Sequence, residues 1–363
     1  METKSELFGH PTGLFVLFFT EMWERFSYYG MRAILVLYLV SESKGDNPGL
    51  GWSNADALAL YGWYTMSVYV ASIPGGWIAD RFIGQKKAVF VGGLTLCLGH
   101  SILAVEAPWA FFSGLALIVA GVGLLKPNIS TMVGGLYEQK DLRRDKGFTI
   151  FYIGINIGAA LAALIVGYVG EAHGWHYGFG LAGIGMLLGQ VVYMMGQKHL
   201  THVGNALASK SQGQNKVDVP LTKVEKDRVK VLFLSFAIVV VFWGAFEQAG
   251  GLMNIYTLEK TDRVISGETI PASIFQSLNA IFIVLLGTTV AGYWAMRKSA
   301  NKEASSLFKM AIGTMIMGSG FFFMSAASAE FESTGSSAIY WLVFAYLFHT
   351  VGELCASPVA LSF

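Results

Sequence analysis

The chain of 363 residues carries 25 lysines and arginines against 24 aspartates and glutamates, and 54% of its residues are hydrophobic while only 13% are charged. A soluble protein carries about 25% charged residues, so this composition excludes a soluble globular domain, a disordered chain and a basic nucleic-acid-binding protein. The two cysteines, Cys97 and Cys355, lie in apolar runs and give no disulfide framework or metal-binding motif. The sequence therefore predicts an all-α polytopic membrane protein.

Apolar stretches of about 20 residues recur along the chain, each long enough to cross about 30 Å of hydrocarbon as a helix. The charged residues of the first stretch exclude a cleavable signal peptide, which has an uncharged core. Because the chain ends inside an apolar run, we expect a fragment of a longer protein. Ten spans are predicted, at residues 13–40, 57–79, 86–105, 109–135, 148–169, 177–197, 231–257, 272–296, 307–327 and 338–363.

The longest polar break separates six predicted spans from four. We therefore expect an N-terminal bundle at residues 1–198, a linker at residues 199–230 and a C-terminal bundle at residues 231–363. The second part of the linker, residues 221–230, could form a short amphipathic helix, and the first part is interpreted as flexible. Nineteen of the 25 basic residues fall on the side of the N-terminus and three on the opposite side. The positive-inside rule then places the N-terminus and the linker in the cytoplasm.

Several ionisable residues lie inside the predicted spans. Each raises the free energy of insertion by roughly 2.5–3.5 kcal/mol, so each needs a partner or a water-filled cavity. An intrahelical salt bridge of purely structural value is the alternative explanation for those on the first span. The seven residues are Glu21, Glu24, Arg25, Arg32, Lys126, Glu247 and Glu353. At about 100° per residue, the first span carries a polar stripe of Glu21, Arg25, Tyr28 and Arg32, flanked by Glu24 and Tyr29.

Later spans also place polar side chains on shared helix faces. Tyr152 and Asn156 are one turn apart, and Lys126 precedes Pro127, whose missing amide donor leaves a carbonyl available to water or solute. The last four spans carry two further faces, one with Trp243, Glu247 and Asn254 and one with His349, Glu353 and Ser357. His349 is interpreted first as a hydrogen-bonded core histidine. Taken alone, Tyr69, Tyr152 and Trp243 would be ordinary packing aromatics.

The sequence contains no Walker loop, no HExxH motif and no Ser-His-Asp order that would suggest catalysis. ATP-driven transport and hydrolysis are therefore unsupported. We expect neither an enzyme nor a bound metal or cofactor.

Four sequence blocks resemble, in order, the motifs of the proton-dependent oligopeptide transporters, the POT branch of the major facilitator superfamily. The blocks are EMWERFSYYG at 21–30, similar to ExxER(F)xYYG; GGWIADRFIG at 75–84, similar to the helix 2–3 loop; GLLKPN at 123–128, similar to the helix 4 lysine motif; and FYIGINIG at 151–158, similar to FYxxINxG. FEQ at 246–248 and GEL at 352–354 resemble elements of the family's seventh and tenth helices. The resemblance implies the major facilitator superfamily fold, with a six-helix N-terminal bundle and an incomplete, four-helix C-terminal bundle.

The resemblance also implies a function, a symporter that imports di- and tripeptides with protons across the bacterial inner membrane. Its site would lie between the bundles and open alternately to each side. Proton coupling would fall to Glu21, Glu24, Arg25 and, as an additional candidate, Glu247. Substrate contacts would come from Tyr29, Arg32, Tyr69, Lys126, Tyr152, Asn156, Trp243, Asn279, Glu353 and Ser357, with Asp80 and Arg81 in a cytoplasmic gate. Within this set Arg32 and Lys126 would hold the peptide carboxylate, and Glu353 the ammonium.

Two alternatives stay open at this point. A symporter of the same fold for nitrate or another small anion would need the basic residues but little from Glu353. A nutrient-sensing receptor would keep the site without transporting anything. The expected partners are di- and tripeptides, protons and the lipid bilayer, without nucleic acid, and the sequence predicts no particular oligomeric state.

Overall fold

The computed structural model describes residues 5–138, 140–205 and 222–360, with side chains described through residue 356. Helices make up most of this part, and seven helical segments in it are long and apolar enough to cross a membrane. The expectation of an all-α polytopic membrane protein is confirmed. The chain divides into two compact units, Met1–Ala208 and Ser209–Phe363.

The first unit consists of a short hairpin followed by long helices. Its elements are β1 (Glu6–Leu7), β2 (His10–Pro11), α1 (Thr12–Val40), α2 (Asn54–Ile78) with the π-helical turn Ala79–Ile83, α3 (Gln85–Leu103), α4 (Pro108–Gly135), α5 (Arg144–Leu161) with the π-helical stretch Ala162–Gly167, α6 (Tyr168–His173), α7 (Trp175–Gly196) and the 3-10 turn Gln197–His199. Most of α1 is buried, because α5 and α7 pack against it. Helix α4 packs against α2 and α3.

The turn between α2 and α3 differs from the expectation of a loop. Asp80 and Arg81 lie in the π-helical turn that continues α2, so the loop expected around these two residues is helical instead. The chain reverses at Gly84, whose φ of 79° lies in the left-handed region that glycine adopts without strain. Helix α3 then begins directly at Gln85.

The second unit contains α8 (Lys223–Phe246), the 3-10 turn Glu247–Ala249, α9 (Leu252–Lys260), β3 (Thr261–Asp262), β4 (Val264–Ile265), β5 (Glu268–Thr269), the 3-10 turn Ala272–Gln276, α10 (Ser277–Ser299), α11 (Ser306–Thr334), β6 (Ser337–Ala338) and α12 (Ile339–Ala360). Helix α12 packs against α10 and α11, and α11 also contacts α8. β4 and β5 form an antiparallel hairpin, while β3 pairs with β6 in parallel.

The seventh predicted span is a broken helix. Helix α8 ends at Phe246, a 3-10 turn follows, and Gly251 adopts φ −105° and ψ −103°, outside the helical region, before α9 begins. The prediction that Trp243, Glu247 and Asn254 share one helix face is therefore wrong, because it assumed an unbroken helix. The pair Gly250-Gly251 explains the break, since glycine is a poor helix former.

Parts of the predicted linker at residues 199–230 have defined structure. Leu200 and Val203 are buried in the first unit. Residues 223–230 form the start of α8, which a capping box begins: the amide of Thr222 donates to the Glu225 carboxylate at 2.7 Å, and the Thr222 hydroxyl accepts from the amide of Glu225 at 3.3 Å. The expected short helix at 221–230 is thus the first part of a long one, and residues 206–221 lie outside the described part of the chain.

Arg143, between α4 and α5, ties the β1–β2 hairpin to the first unit. Its Nη1 lies 2.9 Å from a carboxylate oxygen of Glu6 and 3.0 Å from the carbonyl of Gly9, while its Nη2 lies 2.9 Å from Asp141. The hydrogen bonds from Arg143 lower the pKa of Asp141. One guanidinium therefore binds two parts of the chain that are far apart in sequence.

Two further polar contacts hold the same hairpin. His10 Nδ1 lies 2.8 Å from the hydroxyl of Tyr137, whose pKa burial raises to about 12. Ser5 Oγ lies 3.0 Å from Nδ1 of His199, just beyond α7. The hairpin is thus connected to both the end of α4 and the end of α7.

Glycines allow the closest helix contacts. A β-carbon on Gly75 of α2 would lie 1.9 Å from the carbonyl oxygen of Gly123 on α4, and one on Gly313 of α11 would lie 2.7 Å from that of Gly352 on α12. Side chains at these positions would force the backbones apart, so both contacts depend on glycine. Gly123 lies one turn before Lys126 and Gly352 precedes Glu353, so these contacts help to position two predicted site residues.

Candidate functional site

The charged stripe on α1 forms a buried ion cluster. Arg25 Nε lies 3.1 Å from Glu21 and also forms an ion pair with Glu24. The three side chains are between 0% and 3% exposed, so water contributes almost nothing to their solvation. In such a setting the loss of one partner leaves a charge uncompensated, at about 3–5 kcal/mol.

Two aromatic rings extend this cluster along α1. The Arg25 guanidinium lies 5.6 Å from the ring centroids of both Tyr28 and Tyr29, and Arg32 lies 4.7 Å from the centroid of Tyr29. Tyr29 thus lies between two cations and interacts with each through its π face. The predicted stripe is therefore a connected structure, and its members are a carboxylate pair, two guanidiniums and two phenols.

Lys126 joins this group from α4. Its Nζ lies 4.9 Å from the ring centroid of Tyr69 on α2, and its charge acts on the Glu21 carboxylate together with that of Arg25. The residue lies one turn beyond Gly123, which is in close contact with Gly75 of α2. The structure therefore brings Lys126 and Tyr69 together. Both residues were predicted to contact the same substrate, and this proximity is consistent with that prediction.

Helix α5 contributes Tyr152 and Asn156. The side-chain amide of Asn156 donates to the backbone carbonyl of Tyr152 at 2.9 Å, which confirms that the two residues occupy successive turns of one face. Asn156 is buried, and Tyr152 is partly exposed. This bond uses one donor of the amide and orients its remaining polar atoms.

Asp80 and Arg81 lie apart from the charged cluster and are both exposed. A carboxylate oxygen of Asp80 accepts a 3.4 Å hydrogen bond from the side chain of Gln85, and Arg81 lies 5.9 Å from the ring centroid of Trp77. These interactions connect the turn to the end of α2 and to the start of α3.

The second unit has its own polar centre on α12. Asn279 of α10 donates from its side-chain amide to Glu353 at 2.8 Å and to the hydroxyl of Thr350 at 3.1 Å. Thr350 in turn donates to the carbonyl of Tyr346 at 2.7 Å. Glu353 is only 7% exposed, so this network fixes the carboxylate where solvation is weak.

Thr350 was missed by the sequence analysis. It lies three residues before Glu353, which places both residues on one face of a helix. That spacing alone could have identified Thr350. A threonine hydroxyl in a helix, however, commonly donates to the carbonyl four residues earlier, as Thr350 does here, so its spacing from Glu353 is a weak signal.

The remaining predicted residues of the second unit are more dispersed. Trp243 contacts the rings of Phe242 and Phe246 with centroids 5.4 and 5.2 Å apart, and Glu247 lies in the turn that breaks the helix. His349 is 1% exposed and packs against Phe321 at 4.6 Å, but within the described chain neither of its ring nitrogens has a hydrogen-bond partner, unlike the predicted core histidine. The side chain of Ser357 lies outside the described residues.

Ionisable groups buried within membrane-length helices mark pathways for ions and substrates. Each unit of this chain contains such a group, with a cluster of mixed charge in the first and a carboxylate held by an amide in the second. Buried ionisable groups on long helices, in a chain with several helices apolar enough to cross a membrane, are typical of a multi-pass transporter.

The particular family follows from the sequence profile. Residues 86–212 and 206–363 match the profile of the POT family, and the chain belongs to this family. It is therefore a membrane transporter and not an enzyme. The resemblance that the four sequence blocks indicated is confirmed.

Similar proteins agree with this assignment over nearly the whole chain. An uncharacterized transporter, YclF, of Bacillus subtilis (strain 168) is 38% identical, over 98% of this chain and 81% of the relative. A di-/tripeptide transporter of Lactococcus lactis subsp. lactis (strain IL1403) is 35% identical, over 99% of this chain and 84% of the relative.

A solved structure confirms the fold. The crystal structure of a peptide transporter POT in complex with sulfate matches with a TM-score of 0.84 and 36% identity, over 99% of this chain and 83% of that chain. The expected major facilitator superfamily fold is thus confirmed.

Proposed function

We propose that this protein is a proton-coupled symporter that imports di- and tripeptides by alternating access. The observation that carries the proposal is the division of charge between the units. The first presents Arg32 and Lys126 on tyrosine faces, and the second presents the carboxylate of Glu353. The names of the similar proteins, a di-/tripeptide transporter among them, support a peptide as the substrate.

A short peptide at neutral pH carries a carboxylate at one end and an ammonium at the other. In this proposal Arg32 and Lys126 bind the carboxylate, with Tyr29, Tyr69 and Tyr152 donating nearby hydrogen bonds. Glu353 binds the ammonium, and Asn279 keeps its carboxylate oriented. Because only the two termini are recognised, the peptide side chains do not determine binding. Many peptides of similar length would therefore be transported.

Proton coupling is assigned to the buried cluster on α1. Glu21 and Glu24 share Arg25, and the charge of Lys126 also acts on Glu21. Protonation of either carboxylate removes a negative charge and weakens its hold on the neighbouring cations. The released cation then becomes available to the substrate carboxylate. Inward movement of one proton yields about 2.3 kcal/mol per 100 mV, enough for roughly fiftyfold accumulation.

Localisation in a bacterial inner membrane with a cytoplasmic N-terminus is part of the same proposal. It is supported by the distribution of basic residues, 19 on the side of the N-terminus against three on the opposite side. The bacterial origin of the similar transporters agrees with this localisation.

The test is proton uptake by proteoliposomes that contain the purified protein and an internal pH-sensitive dye. Addition of a free dipeptide should acidify the lumen, and an unlabelled tripeptide should compete with labelled dipeptide for uptake. Acidification by nitrate but not by peptide would replace the substrate assignment with the anion alternative. Dipeptide binding without any proton or peptide flux would indicate a receptor instead.

A further inference from the structure

An open groove of about 450 Å³ lies within the second unit, and Glu353 is not among the residues that line it. The last turns of α10 and the first turns of α11 form its walls, and Val351 and Cys355 of α12 form its floor. Its apolar lining includes Val290, Ile312 and Ile316. The volume lies in the range of a ligand site, which is about 300–1,000 Å³.

One end of this groove is basic and aromatic. Tyr293, Trp294 and Arg297 line it from α10, and the Lys309 ammonium lies 5.4 Å from the Trp294 ring centroid. Arg297 donates to the hydroxyl of Tyr293 at 3.4 Å, so the guanidinium is held at the end of the groove. Tryptophan, tyrosine and basic side chains together are typical of the level at which lipid headgroups meet the hydrocarbon.

The charge at this end is unbalanced in favour of the cations. The segment from Arg297 to Lys309 contains four basic residues and one acidic residue, Glu303. Glu303 pairs with Lys298 at 3.2 Å. The residues that line the groove include Arg297 but no carboxylate, and the rest of the lining is mostly apolar. An anion would therefore complement the charge of Arg297 and Lys309.

We propose that this groove binds one anionic phospholipid, with an acyl chain between α10 and α11 and the headgroup phosphate on Arg297 and Lys309. The distance along α10 from Thr289 to Arg297 is about 12 Å at 1.5 Å per residue, which accommodates the upper part of an acyl chain. Basic pockets between membrane helices are known to select anionic headgroups. A soluble anion alone would leave the apolar length of the groove exposed to water.

The binding test is native mass spectrometry of the detergent-purified 363-residue protein, titrated with phosphatidylglycerol or phosphatidylcholine of identical acyl chains. Phosphatidylglycerol should bind more tightly. The double variant Arg297→Gln/Lys309→Gln should lower its affinity about tenfold or more, because each basic residue near the headgroup contributes to anion binding. The double variant Lys298→Gln/Lys302→Gln is the matched control, since it also removes two positive charges from this segment, at residues that do not line the groove.

A second variant tests the acyl chain. Thr289→Trp fills the groove and keeps every basic residue, so it should weaken binding of long-chain phosphatidylglycerol while leaving the binding of glycerol phosphate unchanged. In the unmodified protein, acyl chains brominated near the headgroup should quench part of the tryptophan emission. The variant Trp294→Phe should lack the quenched share of the emission, and it tests the site without removing any charge.

Several outcomes would overturn the proposal. Equal affinity for the two lipids, or an equal loss in Lys298→Gln/Lys302→Gln and in Arg297→Gln/Lys309→Gln, would mean that no specific headgroup site exists. Loss of affinity in Arg297→Gln/Lys309→Gln but none in Thr289→Trp would indicate surface attraction alone. A dimer that disappears in Thr289→Trp would assign the groove to a second copy of the chain.

Discussion

Asn279 donates a 2.8 Å hydrogen bond to Glu353, so α10 fixes the orientation of a carboxylate that α12 carries. If Glu353 binds the peptide ammonium, Glu353→Gln should weaken binding of a free dipeptide by about 2–4 kcal/mol, as expected for a desolvated charge pair. An N-acetylated dipeptide has no ammonium and should bind the unmodified protein and the variant about equally poorly. Isothermal titration calorimetry measures both ligands.

The control for this experiment is Glu330→Gln on α11, which neutralises a carboxylate that binds the indole of Trp341 instead. Its dipeptide affinity should match that of the unmodified protein. Equal losses for the free and acetylated dipeptides in Glu353→Gln would instead assign Glu353 a structural or proton-linked role.

Lys126 gives the complementary test at the other end of the peptide. Lys126→Ala removes the ammonium that lies over Tyr69 and should weaken binding of a free dipeptide by about 2–4 kcal/mol. A C-terminally amidated dipeptide, which has no carboxylate, should bind the unmodified protein and Lys126→Ala with similar affinity. A strong loss for the amidated ligand as well would contradict a direct contact with the carboxylate.

Glu24 tests the coupling assignment. Glu24→Gln keeps the shape of the side chain but removes one of the two carboxylate charges that pair with Arg25. Peptide accumulation driven by a pH gradient should be abolished, while peptide counterflow without a gradient should remain measurable. Glu106→Gln, a change at an exposed residue, should leave both activities unchanged. Parallel loss of accumulation and counterflow would point to folding rather than coupling.

Two adjacent glycines of α2 test the helix contact beside Lys126. Gly75→Val would place its β-carbon 1.9 Å from the Gly123 oxygen and should lower Tm by about 5 °C or more. Gly76→Val is matched in helix and chemistry, and no other helix among the described residues has an atom within 4 Å of its β-carbon. Thermal unfolding in detergent should separate the two variants, and identical Tm values would contradict the close contact.

Arg143 tests the attachment of the hairpin. Arg143→Gln should speed hydrogen exchange of the Thr12 amide, which bonds to Ser5, whereas Arg144→Gln should not.

Because the pKa of Asp141 is lowered, its contact with Arg143 stabilises the folded state above the ordinary aspartate pKa and is lost as the pH falls through the lowered value. Exchange of the Thr12 amide, corrected for the intrinsic effect of pH, should therefore become faster only in acid. If it already becomes faster as the pH is lowered within the neutral range, the prediction is contradicted.

The part of the site that lies within one helix could be predicted from the sequence. Helical spacing alone placed Glu21, Arg25 and Arg32 on one stripe, and the contacts of Arg25 agree with it. The contact of Lys126 with Tyr69 joins two helices, and no spacing within one helix can reveal it. The resemblance to a known family provided that pairing instead.

The same reasoning failed where the backbone leaves the α-helix. A shared face for Trp243 and Asn254 requires about 100° per residue throughout, and the turn at 247–251 interrupts that progression. The prediction for Asp80 and Arg81 was wrong in the opposite sense, because this stretch between two glycines was predicted as a loop and is helical. Local composition did not reveal that the backbone could continue to Ile83 before the reversal at Gly84.

The bond between Ser5 and His199 joins residues 194 positions apart, and it has a consequence for synthesis. A ribosome that adds about 5–20 residues per second needs roughly 10–40 s to produce the partner of Ser5. Throughout that time the first helices enter the bilayer while the hairpin cannot form this contact. The contact with His199 therefore becomes possible only after those of the hairpin with Tyr137 and Arg143, although Ser5 is among the first residues to be made.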